Sequence, residues 1–252
     1  MNQQPHQPVP TQPIPQVPLR VDLAGGWLDV PSLARPDGFV VNCAIAPLVS
    51  LADWPYEIGG GLGGSAAHAI LEGRDSIRSE IILGVGWQDP AILIETGLCV
   101  WKSGPKPVLA VKRDGSILAS RMAVCWTGKR HYTPDFVGID RDYDLILRSS
   151  QVCAMGVQQE NFDLITAGVD LYHQAQLKEG MDPLPRHGEV TRKYCGGGWG
   201  GYAVYIFRSG AERDAFVSGH PEARKVEPYC SWDDLDVESL AAAGQAVKNL
   251  NP

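Results

Sequence analysis

Two glycine-dense stretches set the chemistry this chain is equipped for. In RKYCGGGWGGYAVYIF, residues 192 to 207, five of the six central positions are glycine, Gly196, Gly197, Gly198, Gly200 and Gly201, and a β-type run follows from Tyr202. Glycine loses more backbone freedom on folding than any other residue, so a dense cluster calls for a reason. Close approach of the backbone to a bulky anion such as a phosphate chain is one reason; a turn needing positive φ, or a flexible loop, is the plainer one. The second stretch is GGGLGGSAA, Gly59 to Ala67, and it runs straight into helix formers. Free N–H groups and the dipole at a helix start attract phosphate. Neither common nucleotide signature fits. No G-K-[ST] closes the loop, and no strand leads directly into it with an acidic residue at dinucleotide spacing.

Other chemistries are poorly served. The six cysteines, Cys43, Cys99, Cys125, Cys153, Cys195 and Cys230, form no C-x-x-C and mostly sit in apolar runs. Buried free thiols in a reducing cytoplasm are therefore expected. The six histidines show no H-E-x-x-H or paired spacing, so zinc is not expected. The net charge is -7, and no basic field exists to draw nucleic acid or a membrane surface. No apolar run reaches the roughly 18 residues of a membrane helix. The opening MNQQPHQPVPTQPIPQVP lacks the basic start and apolar segment of a signal peptide. Its Pro and Gln content reads as a disordered or polyproline-like tail over residues 1–18.

The elements that must position the glycine loops are mixed. Leu19 to Leu23 reads as a short strand and Phe39 to Ala52 as one or two more. Ser65 to about Leu83 reads as helix, and GVGWQDP, residues 84 to 90, as a break. Strand-like stretches follow at Ile92 to Trp101, Pro107 to Lys112 and Ser116 to Trp126, with Arg113-Asp114-Gly115 as a hairpin turn. Two helices come next, the second carrying Phe162, Ile165, Val169 and Tyr172 at amphipathic spacing. Beyond the second glycine cluster lie a strand, a helix near Ala211 to Val217 and a strand near Arg224 to Tyr229. Val237, Leu240, Val247 and Leu250 mark a terminal helix. Interleaved helices and hairpins predict an α+β fold in 252 residues.

Four segments in order resemble the GHMP kinases, the family of galactokinase, homoserine kinase, mevalonate kinase and phosphomevalonate kinase. LRVDLAGGWLDVP, residues 19 to 31, is similar to the N-terminal substrate motif of the sugar branch. GGGLGGSAA is similar to the phosphate loop usually written G-L-G-S-S-A. GWQDP, Gly86 to Pro90, looks like the GWQDQ segment of fucokinases and of kinases acting on heptose 7-phosphate. KYCGGGWGG, Lys193 to Gly201, is similar to the C-terminal glycine motif. The resemblance spans about residues 19 to 230. It implies a lobe like domain 2 of ribosomal protein S5 over 19–118 and a ferredoxin-like lobe over 119–252. It also implies ATP and Mg²⁺ as cofactors and a sugar or sugar phosphate as the small-molecule partner, phosphorylated at the anomeric hydroxyl.

The same resemblance implies roles. Asp89 would be the base or orienting carboxylate for the acceptor hydroxyl, although an Asp before Pro90 also caps turns. Arg20 would pair with Asp89 or polarise the acceptor oxygen; a surface ion pair is the plainer reading. Gly59, Gly60, Gly61, Leu62, Gly63, Gly64, Ser65 and Ala66 would hold ATP. Ser65, otherwise a helix cap, and Glu80, otherwise an exposed helix residue, would hold the metal. Asp29, with Gly197, Gly198, Trp199 and Gly200, would meet the substrate. Asp22 reads equally as a solvated strand-end carboxylate. Lys193 would neutralise phosphate or cap a strand, Asn42 would reach the nucleotide or satisfy buried backbone, and Lys129 and Arg130 form a basic loop. The apolar stripe through Tyr172 reads as core.

Two departures stand out. The spacings from the first motif to the second and from there to Asp89 are shorter than usual in the family, and Gly-Gly-Ser replaces Ser-Ser. They leave a second reading open, a non-catalytic nucleotide- or sugar-binding module on a reduced kinase scaffold. A homodimer completing the trimmed substrate side is compatible with either.

Overall fold

The computed structural model describes residues 15–82, 84–132, 136 and 138–232. The predicted tail over 1–14 and the terminal helix through Val237 to Leu250 lie outside these residues. The tail's predicted end at residue 18 is corrected, because strand β1, Val17–Ala24, already includes Val17 and Pro18. All eight residues of β1 are buried, since it lies beneath helices on one side and beside β2 (Phe39–Val49) at its edge.

Eight antiparallel strands form one sheet. β2 carries β1 on one edge. On the other it pairs with β3 (Leu98–Lys102) over residues 39–43 and with β8 (Ala223–Pro228) at Ile45 and Ala46. The path then runs from β8 to β5 (Met122–Trp126), β7 (Tyr202–Ile206) and β6 (Thr191–Tyr194), while β4 (Leu109–Arg113) closes the far edge on β3. Late sequence is thus threaded between early strands, with β8 as the seam.

Helices α4 (Tyr143–Gln158) and α5 (Phe162–Lys178) pack on each other and on β1. Asp142 and Asn161 cap them by accepting from the N–H of Leu145 at 2.9 Å and of Leu164 at 3.1 Å. Their closeness depends on glycine: a Cβ at Gly168 would lie 2.6 Å from the Cys153 nitrogen, and one at Gly156 would lie 2.5 Å from that of Ile165. As the spacing predicts, Ile165, Val169 and Tyr172 face the core. Helix α6 (Gly210–Gly219) starts with a capping box between Ser209 and Glu212.

Four expectations are corrected. The helix from Ser65 is two, α1 (Gly64–Leu71) and α2 (Ser76–Ile82), parted at Gly73, whose φ is +67°. Ile92 to Glu95 is not strand but the end of α3 (Gln88–Glu95), which begins inside the predicted break. Pro90 falls in its first turn, where a missing N–H leaves no helical bond unmade, and Asp89 there suits the helix dipole. Tertiary packing of Ile92 and Leu93 overrides their β propensity. Ser116 to Trp126 opens as a 3-10 turn at Ser116–Leu118 before β5. Arg113-Asp114-Gly115 is a turn but no hairpin, because β4 pairs with β3 whereas β5 pairs with β7 and β8.

Candidate active site

The first glycine cluster follows β2 and enters α1 through Gly63. Gly59, Gly61 and Gly63 all hold φ between +72° and +77°, a region closed to most side chains. A Cβ at Gly61 would lie 2.7 Å from the Cys195 carbonyl oxygen, so the two glycine clusters touch backbone to backbone. Three successive carbonyls are tied down: Gly59 accepts from His131 N at 3.0 Å, Gly60 from Tyr202 N at 2.7 Å and Gly61 from Arg20 Nη1 at 2.5 Å. Gly201 donates to the Lys129 carbonyl at 2.7 Å, so residues 127 to 131 strap both clusters together. The loop leads into the first turn of α1, whose leading N–H groups have no intrahelical carbonyl to bond.

A cleft of about 1070 Å³ opens over this loop. Residues 59 to 65 line it, as do Arg20, Asp29, Glu80, Asp89 and Gly197. The sequence-predicted residues are thus largely brought together. Ala66, in the first turn of α1, is buried and does not line the cleft. Gly198, Trp199 and Gly200 do not line the cleft. Gly198 packs on Met181, Gly200 on the carbonyls of Lys129 and Arg130, and Trp199 stacks on Phe136 at 5.6 Å, covering the loop from outside.

At the centre, β1 presents Arg20 to the first turn of α3. Its Nε and Nη2 both reach Asp89 Oδ1 at 2.7 Å, leaving Oδ2 without a protein partner among the described residues. Burial opposes the Arg20 charge, but Asp89 and Asp22 more than offset it and keep the guanidinium protonated. Behind it, Asp22 is no solvated strand end. It is fully buried, accepting from Lys193 Nζ at 2.7 Å, from Gly196 N at 2.7 Å and from Arg20 Nη1 at 3.3 Å. Lys193 is equally buried, also bonds the Asp22 carbonyl at 2.9 Å and lies 4.8 Å over the Tyr172 ring. A chain of alternating charges therefore runs Lys193, Asp22, Arg20, Asp89.

Beside Asp89 stand two more carboxyls. Glu80 is buried rather than exposed, and Ser65 Oγ donates to it at 2.5 Å. Ser65 is the second residue of α1; the cap position belongs to Gly63. Burial and then the nearby Asp89 push Glu80 up to about 7. Asp29 accepts from the backbone N–H of Gln88 at 3.1 Å and from its side-chain amide at 3.2 Å. Burial pushes Asp29 up to about 7 as well. Gly86 is required here, because a Cβ would fall 1.6 Å from Asp29 Oδ2.

The donor set of Ser65 and Glu80, a hydroxyl and a carboxylate on the cleft wall, fits a hard divalent ion such as Mg²⁺, which keeps much of its shell for phosphate and water. No cluster of three or more His, Cys, Asp or Glu arranged for a metal occurs among the described residues. The glycine cradle and the start of α1 fit a phosphate chain.

Several lining residues were not singled out in sequence: Gln88, the aromatic shelf of Trp54, Tyr56 and Tyr132, and Tyr172, whose hydroxyl packs under Gly26. Gln88 stood in the quoted GWQDP segment, which was the available signal. Asn42 meets neither expectation: it is buried away from the cleft lining and accepts from a side chain, the Trp101 indole Nε1, at 2.9 Å rather than from backbone. Of the basic loop, Arg130 lines the cleft while Lys129 is 70% exposed near Asp182. No helix of the described residues is long and apolar enough to cross a membrane.

No protein-family model matches this sequence, and no curated protein matches it either. Solved structures do match. The mevalonate kinase of Methanococcus jannaschii is 13% identical, with 88% of this chain and 99% of that one covered at a TM-score of 0.62. A D-glycero-D-manno-heptose 1-phosphate kinase from Bacteriodes thetaiotaomicron is 13% identical, with coverage of 85% and 96% and a TM-score of 0.56. Streptococcus pneumoniae phosphomevalonate kinase, in complex with phosphomevalonate and AMPPNP, is 10% identical, with coverage of 84% and 98% and a TM-score of 0.59. The chain has the α+β fold of these GHMP-family kinases.

Proposed function

We propose that this chain is an ATP-dependent small-molecule kinase of the GHMP type, transferring a phosphoryl group to a hydroxyl of a sugar or sugar phosphate, with the anomeric hydroxyl as the preferred acceptor. The observation that carries the reading is one constellation. Asp89 is clamped by Arg20, with an unpaired carboxylate oxygen, in the same cleft as an anion cradle and the Ser65–Glu80 pair. The fold shared with kinases of small alcohols supports it.

In this reading, Asp89 Oδ2 receives the proton of the acceptor hydroxyl as its oxygen becomes a nucleophile. Arg20 holds the carboxylate in place and offsets negative charge that develops beside it. The α1 terminus and the positive-φ glycines hold the phosphate chain through backbone N–H groups. Ser65 and Glu80 would hold Mg²⁺, which when bound would supply neutralisation of phosphate charge. Asp29 and Gln88 orient the acceptor. We further propose the lobe division at residues 118 and 119, a cytoplasmic setting, and no nucleic-acid or membrane partner; homodimerisation is compatible with the reading.

The test is ADP release from ATP and Mg²⁺ with a panel of free sugars and sugar phosphates, run beside Asp89→Ala. Release with one acceptor, lost in the variant, is expected. Release equal in both proteins, or in neither, sinks the reading. Binding of nucleotide or sugar that is indifferent to Asp89→Asn, with no turnover, would instead favour a non-catalytic binding module.

A further inference from the structure

We propose that the acceptor end of the cleft is built for an uncharged polyol and discriminates against acceptors carrying a phosphate or carboxylate. This rests on the kinase reading for the word acceptor, but the binding preference it states stands on the lining itself.

Positive charge is scarce in the cleft. Among the described residues, the lysines and arginines lining the whole cleft are Arg20 and Arg130. Arg20 is consumed: Nε and Nη2 are on Asp89, and Nη1 is on the Gly61 carbonyl and Asp22. The backbone and Cβ of Arg130 sit against Gly59 and Gly200 in the glycine loops. His131 is bonded there too, through its N–H to the Gly59 carbonyl, and His68 lies on α1. The cleft lining also includes Trp27, Val30, Val85, Gln88 and Tyr172, none of them a cation, and the side-chain and backbone donors to Asp29 both belong to Gln88. Arg141, a buried guanidinium outside the cleft lining, lies 3.8 Å over the Trp27 ring and is held by Glu179 at 3.2 Å and by the carbonyl of Ile139 at 3.0 Å.

Asp29 presents a buried carboxylate whose protein donors both come from Gln88. Gln88 Oε1 is itself buried and has no hydrogen-bond partner among the described residues. Asp89 Oδ2 lacks a protein donor. These groups are all acceptors, so a complementary ligand must bring donors. Each hydroxyl of a polyol brings one, and Trp27 offers an apolar face for the C–H side of a ring. A phosphate or carboxylate brings further acceptors and places a second anion beside Asp29 and Asp89 with no cation to pair it. Buried like charges and buried unpaired acceptors are both strongly unfavourable.

The test measures binding and turnover separately on the full chain at pH 8, above the range in which Asp29 titrates. Equilibrium binding is measured for free hexoses, 6-deoxyhexoses and a heptose. Hexoses and the heptose are each set beside their own terminal phosphate ester, and the hexoses also beside their uronate. At least one neutral sugar is expected to bind, with its anionic counterparts weaker by about tenfold to a hundredfold, the range that one or two unsatisfied buried groups give. Asp29→Asn, checked for an unchanged circular dichroism spectrum, is expected to narrow that gap. A phosphate ester or uronate binding more tightly than its neutral parent overturns the inference, as does the absence of binding by every neutral sugar. ADP release is the independent arm. Release with phosphate esters alone overturns this inference and leaves the kinase reading standing. Neutral sugars that bind without release under any condition leave this inference standing and remove the kinase reading.

Discussion

Lys193→Met is the substitution whose outcome the geometry specifies most closely. Lys193 Nζ lies 2.7 Å from Asp22 Oδ2, and both side chains are fully buried. At that separation the pair attracts by about 6 kcal/mol for an effective dielectric of ~20. Desolvating both charges consumes much of this, so the net worth of the intact pair is small. Removing one partner is different. Methionine fills a similar volume but leaves Asp22 buried opposite an apolar chain, a situation that costs about 3–5 kcal/mol. Asp22 keeps the Gly196 N–H and a long contact to Arg20, which places the expectation near the lower end, about 3 kcal/mol. The assay is denaturant unfolding, read as a shift in midpoint at constant slope, for Lys193→Met, Asp22→Asn and the double variant. The double variant should recover about 1.5 kcal/mol or more relative to the sum of the singles. A Lys193→Met loss below about 1 kcal/mol, or additive singles, would refute the claim that this pair anchors the central charge chain.

Asp89→Asn keeps shape but loses the proton acceptor, so turnover should fall by about 10² to 10⁴ while calorimetry still detects nucleotide. Ser65→Ala should raise the Mg²⁺ concentration for half-maximal turnover by about tenfold through loss of one ligand, and should lower the unfolding free energy by the roughly 1–3 kcal/mol that loss of the donor to buried Glu80 entails. Gly61→Ala forces a left-handed alanine at φ +72° with its Cβ 2.7 Å from the Cys195 carbonyl, and should cost about 2 kcal/mol or more in thermal unfolding. Asp29 has an ordinary value near 3.8 and is pushed to about 7 by burial. The native state therefore binds more protons than the unfolded chain across that window. Unfolding free energy should fall as pH rises from about 4 to 7, and Asp29→Asn should flatten the curve; an unchanged curve in that variant contradicts the assignment.

The sequence made the glycine clusters, Asp89, Arg20 and Asp29 legible because each belongs to a short segment whose residue types are unusual together. The helix α5 stripe was legible because burial on one face imposes a period. What escaped was decided by distant partners. Asp22 reads as a surface carboxylate until β6 brings Lys193 across to it, 171 residues away. Ile92 to Glu95 reads as strand because local propensity favours it, and becomes helix because Ile92 and Leu93 are needed in the core. The 113–115 hairpin failed for the same reason: β5's partners, β7 and β8, come from the end of the chain. Gln88 was overlooked because a neutral amide beside an aspartate carries no signal until its carbonyl is seen buried without a donor.

The fixed carbonyls of Gly59, Gly60 and Gly61 have a kinetic consequence. A loop whose oxygens are already bonded to His131, Tyr202 and Arg20 needs little reshaping when an anion arrives. Ordering entropy is then largely spent during folding rather than at encounter. Association at this end of the cleft should be governed by diffusion and access, in a single phase linear in ligand concentration. Differences in affinity among anions should therefore appear in their residence times.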